Sequence, residues 1–211
     1  SSHDEDGFLA TRIGGNASLL KVASSLQITA KGQPVIYYGE EIGMSAPYAG
    51  NQNRKSFDWS KVENNDVLKH YQKITNIRKE HAEVFARGDR KSLYTDENVS
   101  IFSRTFNGET VIVGLNISNE AKSVTFPMNA AMGDALKDIF NEDAEFEAED
   151  GKITVTIPAN KDGGTAVFLP SQTESTTVIF NFKDPDNGEW AIWAWPKDGN
   201  GAQYEFTRQD G

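Results

Sequence analysis

The 211-residue sequence contains no cysteine, which excludes a disulfide framework and any thiolate-ligated metal site. Nor does it contain an apolar run approaching the roughly 18 residues of a membrane-spanning helix. Positive charge is in deficit: 21 Lys and Arg stand against 31 Asp and Glu, for a formal net charge of −10. Such a surface argues against nucleic acid or an anionic membrane as partner, and is compatible with neutral sugars. Histidine is sparse, and His70 and His81 lie on or beyond a charged helical stretch without metal-ligand spacing. The residues themselves therefore imply no metal and no cofactor. The chain opens Ser1-Ser2-His3 without Met, so its first residues say nothing about export, and a fragment is the simplest expectation.

What is present is bulky core material. The apolar share is 37%, yet 12 Phe, 6 Tyr and 4 Trp are enough to argue against disorder. The length allows one large domain or two small ones.

From Asn16 to Ala30 the residues Leu19, Val22, Ala23, Leu26 and Ala30 recur at helical spacing, with Gly15 or Asn16 as start and Gly32 as stop. A second helix is expected from Asn65 to Glu83, with Leu68, Tyr71, Ile74 and Ile77 on one face. Between them, Val35-Ile36-Tyr37-Tyr38 follows Gly32-Gln33-Pro34 without polar alternation, as in a strand covered on both faces. The long loop after it, rich in Gly, Asn, Ser and Pro, is of the kind that carries function.

Beyond Gly88 the period changes. Ser92–Tyr94, Val99–Phe106, Thr110–Asn116, Ser123–Phe126, Ala135–Phe140, Ile153–Ile157 and Thr165–Leu169 read as short strands, with Asn107-Gly108 as a hairpin turn. They predict a small antiparallel sandwich. Pro170 to Thr176 reads as a linker, and a further strand is expected at Thr177–Phe182. The remaining tail is too short to build a core alone.

Three stretches carry a resemblance when taken in order: Ser2-His3-Asp4-Glu5-Asp6-Gly7, Gly32-Gln33-Pro34-Val35-Ile36-Tyr37-Tyr38-Gly39-Glu40-Glu41, and Asn53-Arg54. This order resembles the last two βα units of the catalytic barrel in glycoside hydrolase family 13, the α-amylase and pullulanase family. The C-terminal Trp190, Trp193 and Trp195, with Pro196, Gly199 and Tyr204, resemble the opening of a starch-binding module of carbohydrate-binding module family 41. Phe180-Asn181-Phe182 departs from that module's usual start.

The resemblance implies a fold class of α/β followed by all-β. Residues 1–87 would end a TIM-type (β/α)8 barrel, 88–170 would be the β-sandwich called domain C, 171–176 a linker, and 177–211 an incomplete starch-binding module. Such barrels keep their active sites at the C-terminal ends of the strands. By the same resemblance Asp4 is the carboxylate that stabilises the transition state, and His3 donates to a hydroxyl of the same sugar. Asn53 and Arg54 reach sugar hydroxyls at neighbouring subsites, with a structural ion pair as the alternative for Arg54. Trp193 and Trp195, which alternation puts on one strand face, stack on glucose rings, with core packing as the alternative. Glu40 and Glu41 are read as loop anchors, because adjacent residues of an extended chain point to opposite sides.

Glycoside hydrolysis needs a pair of carboxyl groups flanking the bond. The family's nucleophile Asp and acid Glu lie on earlier strands that this chain lacks, so the fragment by itself is expected to be inactive. The implied parent is a retaining, extracellular or cell-surface enzyme of bacterial type. It would act on α-1,6 or α-1,4 bonds of starch, pullulan or glycogen, and the resemblance admits calcium in that parent. The alternatives are a non-catalytic α-glucan-binding or scaffold protein, an intracellular oligo-1,6-glucosidase, and a transglycosylating relative.

Overall fold

The computed structural model describes residues 1–129 and 132–171 fully, and the backbone of 191–194 and 202–205. The chain divides into two compact units, Ser1–Glu174 and Ser175–Gly211. In the first unit a helical layer, α1 (Phe8–Thr11), α2 (Ala17–Thr29), α3 (Asp66–Glu80) and α4 (Ala82–Arg87), precedes eight strands. The strands are β1 (Asp89–Thr95), β2 (Val99–Phe106), β3 (Glu109–Asn116), β4 (Lys122–Pro127), β5 (Ala135–Asp138), β6 (Ala144–Glu149), β7 (Lys152–Ile157) and β8 (Thr165–Ser171).

All pairings are antiparallel, in the order β1-β2-β3-β8-β5-β6-β7-β4. β6 passes from one layer to the other, pairing with β5 over Ala144–Glu147 and with β7 through Ala148 and Glu149. Between the layers lies a core that includes Ile101, Ile112, Phe126, Leu136, Val155 and Phe168.

The strand sequences follow from what covers them. β4 and β7 alternate, with Val124, Phe126, Ile153, Val155 and Ile157 inward. Outward, Ser123 faces Thr156 and Thr125 faces Thr154 as hydroxyl pairs at 2.9 and 2.8 Å, a favourable cross-strand arrangement. β3 does not alternate, because both its faces are covered. Val111, Val113 and Leu115 meet the helices, in a cluster with Val22, Ile74, Ile77, Val84 and Phe85, while Ile112 faces the sandwich core. Gly114 sits where a Cβ would run into the Ile157 side chain.

The Asn107-Gly108 turn has φ of 50° and 83° and joins β2 to β3 in the register Phe106↔Glu109, as a two-residue hairpin of positive φ requires. Asp150-Gly151 makes a second such turn, with φ of 49° and 72°, between β6 and β7. β6 is a strand that the sequence reading passes over. Its Glu-rich run has weak strand preference, and the Asp-Gly dipeptide is the signal that marks it.

Two arginines cap helix ends from neighbouring elements. Arg78 of α3 donates to the carbonyls of Ile28, Ala30 and Gly32 at the end of α2. Arg104 of β2, buried, donates to Phe85 O and Gly88 O at the end of α4, at 3.0 and 2.6 Å. Both satisfy orphan carbonyls and complement the negative end of the helix dipole.

Several expectations are corrected. Val35–Tyr38 is not a strand: it forms no ladder, Val35 is 74% exposed, and only Ile36 packs inward. A parallel strand draws its hydrogen bonds and cover from neighbours on either side, and among the described residues no strand lies beside this segment. Among them α2 and α3 are present without a strand between them. The buried face of α2 is Leu20, Val22, Ser24, Ser25, Ile28 and Thr29, and Leu26 points out. α3 stops at Glu80, one residue before a break at His81 (φ −112°, ψ 41°), and buries Val67 and His70, with Leu68 half-buried.

In the second unit, β9 (Ala191–Ala194) pairs antiparallel with β10 (Ala202–Glu205). The expected strand at 177–182 and most of the expected linker lie outside the described residues. Among the described residues no helix is long and apolar enough to cross a membrane.

Candidate functional site

The loop of residues 1–7 is held by the segment 40–54. Ser1 Oγ donates to Glu40 Oε1 at 2.9 Å and accepts from Phe8 N at 2.9 Å. Gly7 N donates to Ala46 O at 2.9 Å, Ala10 N to Ser45 Oγ at 2.9 Å, and Tyr48 N to Asp6 Oδ1 at 2.8 Å. Gly7 lies so close to Ser45 that a Cβ would strike the Ser45 hydroxyl, so backbone approach fixes the residue type here. Ser1, Ser45, Asp6 and Tyr48 are participants that no spacing in the sequence singles out.

Within this frame four of the sequence candidates come together. Asp4 is paired through both oxygens, Oδ2 with His3 Nε2 at 2.8 Å and Oδ1 with Arg54 Nη2 at 3.0 Å. Arg54 Nε also donates to His3 O at 3.0 Å, and its guanidinium lies 5.7 Å from the Tyr48 ring centre. Asn53 Nδ2 donates to the carbonyls of Ser2, His3 and Glu5 at 3.1, 3.1 and 2.8 Å. The side chains of His3 and Asp4 are 66% and 63% exposed, so their pairing adds little stability and leaves the carboxylate accessible. Arg54 thus has the ion-pair geometry of its structural alternative.

Two hollows flank the cluster. One, of about 470 Å³, is bordered by Tyr37, Tyr38, Asn53, Lys55 and Phe57. The other, more open and about 590 Å³, is bordered by Asp4, Glu5, Asp6, Arg12 and Tyr48. Asp4 belongs to the second. Tyr37 and Tyr38, stacked edge-on at 4.8 Å, donate to Asn53 O and Lys55 O at 3.1 and 2.7 Å. They hold the 53–55 segment, and among the described residues no strand lies beside them.

Glu40 and Glu41 do not lie in an extended chain. They occupy a short 3-10 turn, Glu40–Ile42, between Gly39 and Gly43 at φ of 84° and 74°. Their charges both act on the Tyr71 phenol, which burial first and these carboxylates second push above its ordinary value. Glu40 is buried, and among the described residues Glu40 Oε2, 3.8 Å from the Ser1 amino nitrogen, and Glu41 Oε2 are buried acceptors without a hydrogen-bond partner.

His70 is buried, with Nε2 2.8 Å from Ser25 Oγ, which lies 2.8 Å from Thr165 Oγ1. This joins α3, α2 and β8 through hydroxyls that the apolar pattern does not reveal. His81 Nδ1 meets Glu109 Oε1 at 2.6 Å. Among the described residues no three His, Asp or Glu side chains converge as a metal would require. Trp193 lies on β9, its backbone opposite Gln203, and Trp195 lies outside the described residues.

The sandwich and the paired loop can now be set beside known proteins. Residues 88–163, which hold β1 to β7, match the family model of the α-amylase C-terminal domain, and their antiparallel strands are consistent with that domain. The chain is 33% identical over 162 residues to a cyclomaltodextrinase of Geobacillus thermopakistaniensis, covering 74% of this chain and 26% of that protein. It is 31% identical over 180 residues to an amylopullulanase of Thermoanaerobacterium saccharolyticum, covering 75% of this chain and 14% of that protein. An α-amylase from Geobacillus thermoleovorans, crystallised with acarbose, superposes with a TM-score of 0.70 at 22% identity, over 82% of this chain and 38% of that one. The likeness of fold therefore extends beyond the matched domain, while the chain spans about a quarter or less of the length of these curated relatives.

Proposed function

We propose that this chain is the C-terminal part of a retaining α-glucan hydrolase of family 13 that cleaves α-1,4 or α-1,6 bonds in starch or pullulan outside the cell. The observation that carries this reading is the His3–Asp4–Arg54 cluster, an accessible carboxylate with both oxygens oriented, in a chain whose relatives are named as enzymes of this class.

The chemistry follows from charge. As the glycosidic bond breaks, the sugar ring takes on oxocarbenium character. A carboxylate that binds the adjacent hydroxyls is worth more in that state than in the ground state, and only such a difference accelerates the reaction. Asp4 supplies this charge, and His3, a donor beside it, binds a hydroxyl of the same sugar. Arg54, already on Asp4 Oδ1, orients the carboxylate and offers its remaining N–H groups to the next sugar. The nucleophile and the general acid come from the part of the enzyme that precedes this chain, so the 211 residues alone do not hydrolyse glucan. Trp193 and Trp195 add a stacking platform for the polysaccharide.

The test is hydrolysis of pullulan and amylose by the full-length gene product and its Asp4→Asn variant. The variant should lose on the order of a hundredfold or more in kcat, and an unchanged kcat would sink the assignment. A second reading is a non-catalytic α-glucan-binding protein, since the resemblance matches no residue of the given sequence to the family's nucleophile or general acid. A full-length product that binds amylose and hydrolyses nothing would establish it.

A further inference from the structure

Asn53 is placed differently from a sugar ligand. Its amide has two N–H bonds, and both are directed at the backbone of the 1–5 loop, shared among the carbonyls of Ser2, His3 and Glu5. Three acceptors around one atom also fix which end of the amide is the nitrogen, since an oxygen there would face three oxygens. The other end, Oδ1, has no hydrogen-bond partner among the described residues but is buried, so it presents no surface to a sugar hydroxyl in this arrangement. Asn53 is itself held, because Tyr37 Oη donates to its carbonyl at 3.1 Å, and the next residue, Arg54, adds its own bond to His3 O at 3.0 Å.

We propose that Asn53 is a positioning residue: its amide gathers the Ser2, His3 and Glu5 carbonyls into the turn that presents Asp4, and it does not bind sugar. Besides the anchor of Ser1 on Glu40 and the Arg54 bonds to His3 O and Asp4 Oδ1, little else holds the backbone of residues 2–5. Inside it the bonds are the 3.4 Å contact of Glu5 N with Ser2 O and the 3.3 Å contact of Asp4 N with Ser2 Oγ, both too long to be strong. Without the amide, carbonyls that point toward one another lose the group that makes their convergence favourable. Asp4 is then displaced, and displacements of about 1 Å cost rates of up to about a hundredfold. The structural part stands alone, while the catalytic consequence rests on the function proposed above.

The test has two arms. In the 211-residue chain without ligand, hydrogen exchange is followed at Asp4, Glu5 and Asp6 in the natural protein, in Asn53→Ala, and in Tyr37→Phe, which weakens the hold on Asn53 while keeping the ring. Exchange at these amides should quicken by about tenfold in Asn53→Ala and less in Tyr37→Phe, with α3 and β3 amides unchanged. A sugar ligand would leave exchange in the free chain as it was, and that result overturns the proposal. In the full-length enzyme, Asn53→Ala should lower kcat by at least about tenfold with KM within about twofold. A rise in KM at constant kcat would mean a sugar contact and overturns the assignment. Should exchange quicken while kcat holds, the Asp4→Asn enzyme separates the causes. If that enzyme is inactive, the positioning role is wrong. If it is fully active, the function proposed for Asp4 has failed and the catalytic consequence falls with it, while the quickened exchange upholds the structural role of Asn53.

Discussion

His70 shows how one buried group ties stability to pH. Burial first, and then the charge of Lys21, lower its imidazole from 6.5 to about 4, with Lys73 acting in the same direction and a backbone hydrogen bond at Lys21 opposing them. Around the ring stand Ser25 on α2, Thr165 on β8 behind it, and Phe140, whose ring centre is 5.1 Å away. Between about pH 4 and 6.5 the unfolded chain holds a proton that the folded chain refuses, so stability rises with pH across this window and the loss is absent above it. By the size of the shift, His70 removes up to about 3 kcal/mol on acidification to pH 4. Urea titrations at about pH 7 and pH 4.5 should show this drop, and His70→Gln should shrink it. An equal drop in the variant would place the acid sensitivity elsewhere, and not at Asp138, which holds its proton more tightly in the folded chain and so acts in the opposite direction. That carboxyl is raised by burial despite its hydrogen bonds from Asn141, Phe140 and Val167.

At the level of elements, the start of α3 is where the long loop is fastened to the helical layer. Asn65 caps the helix by accepting from Leu68 N at 2.9 Å, and its amide N–H groups reach Ile42 O at 3.1 Å and Lys61 O at 2.8 Å. The cap and the loop anchor are thus separate halves of one side chain. Asn65→Asp keeps the cap and loses the anchor, and Asn65→Ala loses both. We expect Asn65→Ala to cost about 1–2 kcal/mol, measured by chemical denaturation. Asn65→Asp should cost less in global stability while still quickening amide exchange through residues 40–44. If both variants exchange alike with the natural chain in that segment, the side chain does not anchor the loop.

Across the first unit as a whole, the helices share a core with the outer face of the β2, β3 and β8 strands. Phe85 of α4 and Ile74 of α3 pack in the same cluster as Phe102 of β2, Val113 of β3 and Val167 of β8, so neither layer can open without exposing the other's apolar face. Phe85→Ala should destabilise by about 3–5 kcal/mol. The loss should appear equally in the slowest-exchanging amides of α3 and of β3, as expected of a single cooperative unit. A loss confined to the helical amides would mean that the helices unfold separately from the sandwich.

Period-two patterning and turn dipeptides determined most of the sandwich from sequence alone. Val99–Phe106 forms the strand expected of it, and Asn107-Gly108 makes the tight hairpin, because alternation and positive φ are properties of a few neighbouring residues. The starts of α2 and α3 were legible for the same reason, since Asn16 and Asn65 cap the turns that follow them. The adjacency of His3 and Asp4 could also be read directly.

What tertiary structure decided is everything that depends on a remote partner. Val35–Tyr38 has the composition of a covered strand, yet among the described residues no strand lies beside it to pair with. Ser25 and Thr29 are buried on α2 in place of Leu26, because His70, Thr165 and the helix's own carbonyls satisfy their hydroxyls. Arg54 reaches Asp4, and the Asn53 amide turns toward the first five residues, across some fifty positions of chain. Polar contacts at that separation leave no period in the sequence, because each depends on two distant backbones being brought together by the apolar core between them.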